Sequence, residues 1–252
     1  MDYNIVIGLP AYNEEPGISK LLEKLSDLGS RFDRGFFVVI VNDGSTDGTE
    51  NILHHFASRY PFISYLNHPH NKGLGEAVKT MFAYVCEHFN ESDVLITLDA
   101  DNTHNPGIIP EMVNKLKNEQ LDLVIASRFT QGGKEIGLSL PRKLYSRGAA
   151  LLLKMFFPIH NVKDYSSGYR CYRVGYLKQA MSVFNKQLVT ATGFECMAEI
   201  IARFSKIGIK AGEYPLVLQY DLKENKSKMK VARTIAGYFH LIKKVNQMGA
   251  LK

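Results

Sequence analysis

The 252-residue sequence predicts an α/β fold, a mostly parallel central sheet flanked by helices. Two observations carry this. Apolar runs of strand length alternate with stretches of helix length through the first half, and those stretches space their apolar residues at a period near 3.6. Such alternation implies βαβ units with helices on both faces of one sheet. The first run, 4–8, reads Asn-Ile-Val-Ile-Gly, and 18–28 follows with Ile18, Leu21, Leu22, Leu25 and Leu28 on one helical stripe. The run at 36–41 is Phe-Phe-Val-Val-Ile-Val, and 49–59 follows as a helix carrying Ile52, Leu53 and Phe56. Strand 63–66 precedes helix 75–88, strand 94–98 precedes helix 106–118, and strand 121–126 closes the series. The second half changes character. Helices are expected at 141–157 and 193–207, one strand at 209–220, a basic flexible segment at 223–230 and a terminal helix through Val245. We expect a single domain over 1–230, its two halves meeting near residue 130, and an amphipathic helix or tail over 231–252.

The bulk properties narrow the classes. Hydrophobic residues make up 45% and charged residues 22%, as in soluble globular proteins. The net charge of +6 suits phosphates or an anionic membrane face, and by itself suits nucleic acid equally well. However, neither an aromatic RNA-binding strand motif nor a helix-turn-helix is readable, so nucleic acid is not an expected partner. Cys86, Cys171 and Cys196 are few and scattered, which favours a reducing compartment over a disulfide framework. The N-terminus enters the first strand too soon for a signal peptide. The most lipid-like stretch, 149–159, is broken by Lys154 and Pro158 and falls short of the ~18 apolar residues needed to span a bilayer. Membrane contact is expected to be peripheral, at a cytoplasmic face.

In parallel α/β sheets, ligands bind at the carboxyl ends of strands, and here those loops hold the most chemically loaded residues. The loop after the fourth strand reads Asp99-Ala100-Asp101-Asn102. Two carboxylates at i and i+2 on a strand end can hold a hard cation, Mg²⁺ or Mn²⁺, whose shell substrate phosphates complete. That cation would stabilise a diphosphate leaving group. A lone acidic turn is more often only solvated; its position after an apolar strand favours function. The first loop, Pro10-Ala11-Tyr12-Asn13-Glu14-Glu15, offers a ring for base stacking and polar groups for hydrogen bonds, or an ordinary helix start. Asn42-Asp43-Gly44-Ser45-Thr46-Asp47-Gly48 has turn chemistry and a carboxylate suited to a ribose or base edge. Asn71-Lys72-Gly73-Leu74-Gly75 opens a helix without dinucleotide or P-loop spacing; its glycines permit a close backbone approach to a nucleotide, or simply a tight turn.

LPAYNEE, VNDGSTDGT, NKGLGEA, LDADNTHNP and ASRF, in this order and spacing, resemble family 2 glycosyltransferases, the inverting GT-A class of nucleotide-diphospho-sugar transferases. SLPRKLYSRGA, VKDYSSGYRCYR, GFECMAEIIARF and KSKMK resemble the polyprenol-phosphate branch of that family, the dolichol-phosphate mannose synthases. The resemblance covers about residues 4 to 235. It implies a catalytic domain with a nucleotide-sugar-binding half over 1–130 and an acceptor-binding half over 131–230, nucleotide contacts from Pro10, Tyr12, Glu14, Asp43, Asp99 and Ala100, and metal contacts from Asp99, Asp101 and Thr103. It places Arg128, Arg142 and Ser146 where the family holds the acceptor phosphate. Two departures stand out. Where the family often has a Gln ligand, this chain has Thr103 followed by His104. Its basic loop keeps Ser227-Lys228 and lacks the usual Arg and Gly.

The implied reaction moves a mannose- or glucose-type hexose from a GDP- or UDP-linked donor to a polyprenyl phosphate. Such an acceptor is already anionic, so it needs cations to orient it and not a strong base. Arg128, Arg142, Arg170 and Lys228 are the candidate cations. Asp101, Arg128 and Asp164 are the candidate catalytic residues, with Asp164 the base should the acceptor be a hydroxyl. Basic amphipathic segments at 141–158 and 226–244 could lie against anionic lipid, or present a core face and solvated lysines. Relatives that add C-terminal membrane helices suggest peripheral docking or a membrane-anchoring partner here. A cytosolic transferase with a sugar or protein hydroxyl acceptor and a non-catalytic sugar-nucleotide-binding subunit remain the alternatives.

Overall fold

The computed structural model describes residues 2–32, 35–222 and 231–247. Strands β1 (Ile5–Ala11), β2 (Phe36–Asn42), β3 (Ile63–Asn67), β4 (Val94–Thr97) and β5 (Leu123–Ser127) alternate with helices α1 (Glu15–Gly29), α2 (Thr49–Arg59), α3 (Leu74–His88) and α4 (Ile109–Asn118). Then come β6 (Lys134–Ile136), α5 (Leu140–Phe156), β7 (Arg170–Arg173), α6 (Val174–Val183), α7 (Cys196–Lys206), β8 (Ala211–Pro215), β9 (Val217–Gln219) and α8 (Val231–Asn246). Seven strands form one sheet in the order β3-β2-β1-β4-β7-β5-β8, and β6 pairs with β9 beside it. β7 runs antiparallel between β4 and β5; the other pairings are parallel.

The apolar runs become strands because both faces of the sheet are covered. Val6, Val39, Val41 and Leu95 point to one layer, where Val78, Met81 and Phe82 of α3 pack. Ile7, Leu9, Val38, Ile40 and Ile96 point to the other, against Leu21 and Leu25 of α1 and Met112 and Leu116 of α4. The period-2 alternation along each strand thus feeds two cores, one per face. Gly8 lets α3 approach β1 closely, since a Cβ there would collide with the Met81 sulfur.

Three expectations change. The strand expected at 209–220 is two strands in different sheets. Pro215 ends β8, and Leu216 then turns its N–H to the Ser127 carbonyl while its own carbonyl accepts from the Lys134 N–H. The helix expected from 193 begins at Cys196, leaving 193–195 as a turn. Strand β7 and helix α6 went unread: Arg-Cys-Tyr-Arg does not look like an apolar strand, and a ten-residue helix with Gly175 at its start gives a weak periodic signal.

With β2 on one side of β1 and β4 on the other, strand order reverses at β1. The crevice at the carboxyl ends of β1 and β4 is therefore where a ligand should sit.

Candidate active site

The loops after β1 and β2 are stitched together. The Asn13 N–H donates to Ser45 Oγ at 3.0 Å, the Thr46 N–H donates to Asn13 Oδ1 at 2.7 Å, and the Glu14 N–H donates to Thr49 Oγ1 at 2.9 Å. Asn13 takes a left-handed φ of 50° to do this, a conformation Asn tolerates. Asn13 is therefore a loop clamp, which leaves Tyr12 and Glu14 beside it on the cavity wall. Asp43 is buried and anchors a third loop. Its carboxylate meets His68 Nδ1 at 2.6 Å and accepts the N–H groups of Lys72 and Gly73 at 3.0 and 2.8 Å. A Cβ at Gly73 or Gly75 would collide with the backbone of Thr192 or Ala191, although Gly73 also borders the cavity. Close backbone approach is real here, and it docks the 190–195 strap onto the 71–75 loop. Buried Glu199 holds that strap, accepting from the Thr190 and Ala191 N–H groups at 2.8 Å each while paired with Arg203 at 2.9 Å.

After β4, Asp99, Ala100 and Asp101 reach the same cavity. Asn102 adopts a left-handed φ of 61° and its side-chain oxygen accepts from Lys24, which closes the turn. Thr103 donates both its N–H and its hydroxyl to Asp101 Oδ1, at 3.1 and 2.7 Å. It holds Asp101 in place, a role sequence alone did not suggest. His104 Nδ1 accepts the Asp99 N–H at 3.2 Å, so a neutral ring carries its proton on Nε2, and the ring lies 5.2 Å from that of Tyr169. Among the described residues there is no cluster of three or more His, Cys, Asp or Glu able to hold a metal. Two carboxylates on a cavity wall do fit a cation whose remaining ligands are water and diphosphate, as is usual for Mg²⁺.

Across the cavity, the Arg128 guanidinium forks onto Asp164, with Nε–Oδ2 at 2.8 Å and Nη2–Oδ1 at 2.7 Å, and Nη2 also donates to Ser166 Oγ at 2.7 Å. Burial alone would push the Asp164 carboxyl up. The guanidinium and three N–H donors (Arg128, Ser166 and Ser167) override this and hold it below the ordinary carboxylate range. A fully buried, ion-paired carboxylate that does not line the cavity is a poor general base. Asp164 instead positions Arg128. Arg142 and Ser146, both from α5, line the cavity, and Arg142 donates to the Tyr220 hydroxyl at 2.5 Å.

Arg170 does not reach the site. It is fully buried in β7, donating to the Tyr165 carbonyl at 3.1 Å, because the antiparallel insertion points it into the core. Lys228 lies outside the described residues. Pro10, Tyr12, Glu14, Asp43, Asp99, Ala100, Asp101, Thr103, Arg128, Arg142 and Ser146 all line one cavity of about 760 Å³, large enough for a nucleotide sugar. Sequence reasoning missed part of its far wall: Phe194 and Glu195 from the strap, and Thr234, Ile235 and Tyr238 from α8. Burial pushes the Tyr238 hydroxyl up to about 12, so it stays a donor at neutral pH. Nothing local marks the α8 residues; the return of α8 across α5 and α7 brings them in.

The family model for glycosyl transferase family 2 matches residues 6–180. The chain belongs to glycosyl transferase family 2. The chain is 28% identical over 219 residues to undecaprenyl-phosphate mannosyltransferase of Micrococcus luteus, covering 86% of this chain and 85% of that protein. It is 30% identical over 207 residues to dolichol-phosphate mannosyltransferase of Pyrococcus furiosus, covering 79% of this chain and 53% of that one. This chain thus spans about half the length of the archaeal relative. Crystalline glucosyl-3-phosphoglycerate synthase of Mycobacterium tuberculosis, in complex with Mn²⁺, UDP and glucosyl-3-phosphoglycerate, superposes with a TM-score of 0.69 at 19% identity, covering 97% of this chain and 80% of that one. That likeness shows the GT-A fold. This family 2 protein is a glycosyltransferase, and its cavity lies where strand order reverses.

Proposed function

We propose that the protein transfers a hexose, mannose or glucose in type, from a GDP- or UDP-linked donor to a polyprenyl phosphate, with inversion. The observation that carries this reading is the pairing across one cavity of Asp99 and Asp101 with Arg128, Arg142 and Ser146, while Asp164 is consumed by its ion pair. The relatives named as undecaprenyl- and dolichol-phosphate mannosyltransferases point to the same acceptor class.

In this reading Tyr12, Glu14 and Asp43 bound the nucleotide. A Mg²⁺ or Mn²⁺ held by Asp99 and Asp101 would neutralise the diphosphate as it departs, in line with the Mn²⁺ and Mg²⁺ complexes of the fold neighbour. Thr103 keeps the Asp101 carboxylate oriented. Arg142 and Ser146 hold the acceptor phosphate, and Arg128, fixed between Asp164 and Glu135, offers guanidinium N–H groups on the same wall. An acceptor phosphate oxygen attacks the anomeric carbon from the face opposite the diphosphate. The carbon–oxygen bond to the diphosphate breaks, and its electron pair leaves with the nucleotide. No proton needs removal, so no base is required. Among the described residues no helix is long and apolar enough to cross a membrane. The reading therefore includes peripheral docking at the cytoplasmic face, alone or through a membrane-anchoring partner.

Incubating the protein with Mn²⁺, a panel of labelled GDP- and UDP-sugars and a short polyprenyl phosphate, then extracting into organic solvent, tests this. Metal-dependent label in the lipid phase is expected. Label transferred only to water-soluble hydroxyl acceptors would overturn it.

A further inference from the structure

Helix α5 has two working faces. Arg142, Ser146 and Ala149 turn into the substrate cavity. On the opposite side, Leu140, Leu144, Leu151 and Met155 are 81%, 72%, 73% and 68% exposed. Their steps of four, seven and four residues put them on one stripe at about 3.6 residues per turn. Lys143, Arg147 and Lys154 repeat the same steps one residue earlier than Leu144, Gly148 and Met155, forming a cationic row beside the apolar one. The helix carries no acidic residue. Other large apolar side chains are exposed singly, such as Phe37, Val183 and Phe239, whereas these four share one helical stripe.

A groove of about 490 Å³ runs along the cationic row, lined by Arg147, Leu151, Lys154 and Lys163. Arg128 borders both this groove and the substrate cavity. The Arg147 guanidinium lies 6.0 Å from the centre of the Phe129 ring, which helps to fix one side of the groove. Anionic headgroups would meet cations here while the neighbouring leucines enter the acyl boundary.

We infer that the outer face of α5 docks on an anionic phospholipid bilayer, with Leu140, Leu144, Leu151 and Met155 inserted and Arg147, Lys154 and Lys163 on the headgroups. This deepens the acceptor reading and rests on it. Docked so, the helix presents its inner face, with Arg142 and Ser146, to a phosphate whose prenyl chain remains in the membrane.

The test is flotation of the full chain, without donor or acceptor, on vesicles of equal parts phosphatidylcholine and phosphatidylglycerol, and on phosphatidylcholine alone. The wild-type chain is expected to float with the anionic vesicles and to lose most of that binding on the neutral ones or at high salt. Leu144→Ser with Leu151→Ser, and separately Arg147→Gln with Lys154→Gln, should each weaken partition at least tenfold. Both pairs should leave transfer to a short, detergent-dispersed prenyl phosphate unchanged, which also shows that they fold. His54→Glu with Ser58→Glu, on α2 across the sheet, should float like wild type. Variants of α5 that float like wild type, or a wild-type chain that ignores anionic vesicles, would overturn the docking face. Vesicle binding lost in both α5 variants but no prenyl product from any donor would uphold the docking face and sink the acceptor reading.

Discussion

The strand-end loops proposed to take the donor and the helical wall proposed to take the acceptor reach one cavity by different physical routes. On the proposed donor side, the candidate residues sit at or just past the carboxyl end of a parallel strand: Pro10 near the end of β1 and Tyr12 after it, Asp43 after β2, Asp99 and Asp101 after β4. The sheet register places them, and short-range bonds such as Thr103 to Asp101 fix them. On the acceptor side, the wall is assembled from α5, the 190–195 strap and α8, elements far apart in sequence. Its charges are arranged by pairing, Arg128 with Asp164 and Arg142 with Tyr220. In the proposed reading, then, donor chemistry is local and acceptor geometry collective. Substitutions on the first side should damage reaction with little loss of fold, and substitutions on the second should damage both.

The largest contrast comes from Asp101→Ala. It removes a cavity carboxylate outside both apolar cores, and transfer should fall by about 10²- to 10³-fold, while the loss of the two Thr103 hydrogen bonds should cost only about 1–2 kcal/mol of stability. Retention of transfer within a few-fold would place the leaving-group stabilisation elsewhere. Asp164→Asn should do the reverse in part. Losing the bidentate partner leaves buried Arg128 with only the Glu135 carboxylate, 3.8 Å away, and should cost about 3 kcal/mol in denaturant unfolding, the lower end for a broken buried pair. A stability change no larger than that of Asp101→Ala would break the comparison.

The same contrast explains what the sequence revealed. Strands buried on both faces read as near-continuous apolar runs, so β1 to β5 were visible, and the loops at their ends carry their chemistry in adjacent residues. Strand β7 was invisible because Arg170 and Arg173 break the pattern, and its antiparallel place between β4 and β5 is a long-range fact. Arg170 was expected on an acceptor phosphate for that reason; only the sheet topology sends it into the core. Asp164 was visible as a carboxylate but not as the partner of a residue 36 positions away. The glycines at 73 and 75 signalled close approach, yet nothing in the sequence says that the 190–195 strap is what approaches.

That strap offers an intermediate effect. Gly75→Ala pushes a methyl group into the Ala191 carbonyl and should destabilise by about 1–3 kcal/mol, the usual cost of overpacking. Because the strap lines the cavity, transfer should fall with stability, and a loss of stability alone would separate the strap from the site. Arg142→Ala should be milder, raising the acceptor KM by about tenfold through a lost charge-assisted contact, with the donor KM unchanged. A rise in the donor KM instead would assign Arg142 to the nucleotide.

The smallest effect is confined to acid. The folded Asp164 carboxyl sits below its ordinary value of 3.8: burial opposes its charge, but Arg128 and the surrounding N–H donors more than offset that. A carboxylate with a depressed folded pKa contributes stability that is fully present above the unfolded value and is lost as pH falls through the folded one. The ion pair should therefore contribute a constant amount from neutral pH down to about 4. Below that pH, unfolding free energy should decline more steeply in the wild type than in Asp164→Asn, which has no proton to take up there. Urea titrations at a series of pH values measure this directly. Parallel curves for the two proteins down to the acid limit would mean that Asp164 is not held ionised by Arg128, and the acceptor-side wall would lose the pairing that distinguishes it from the donor side.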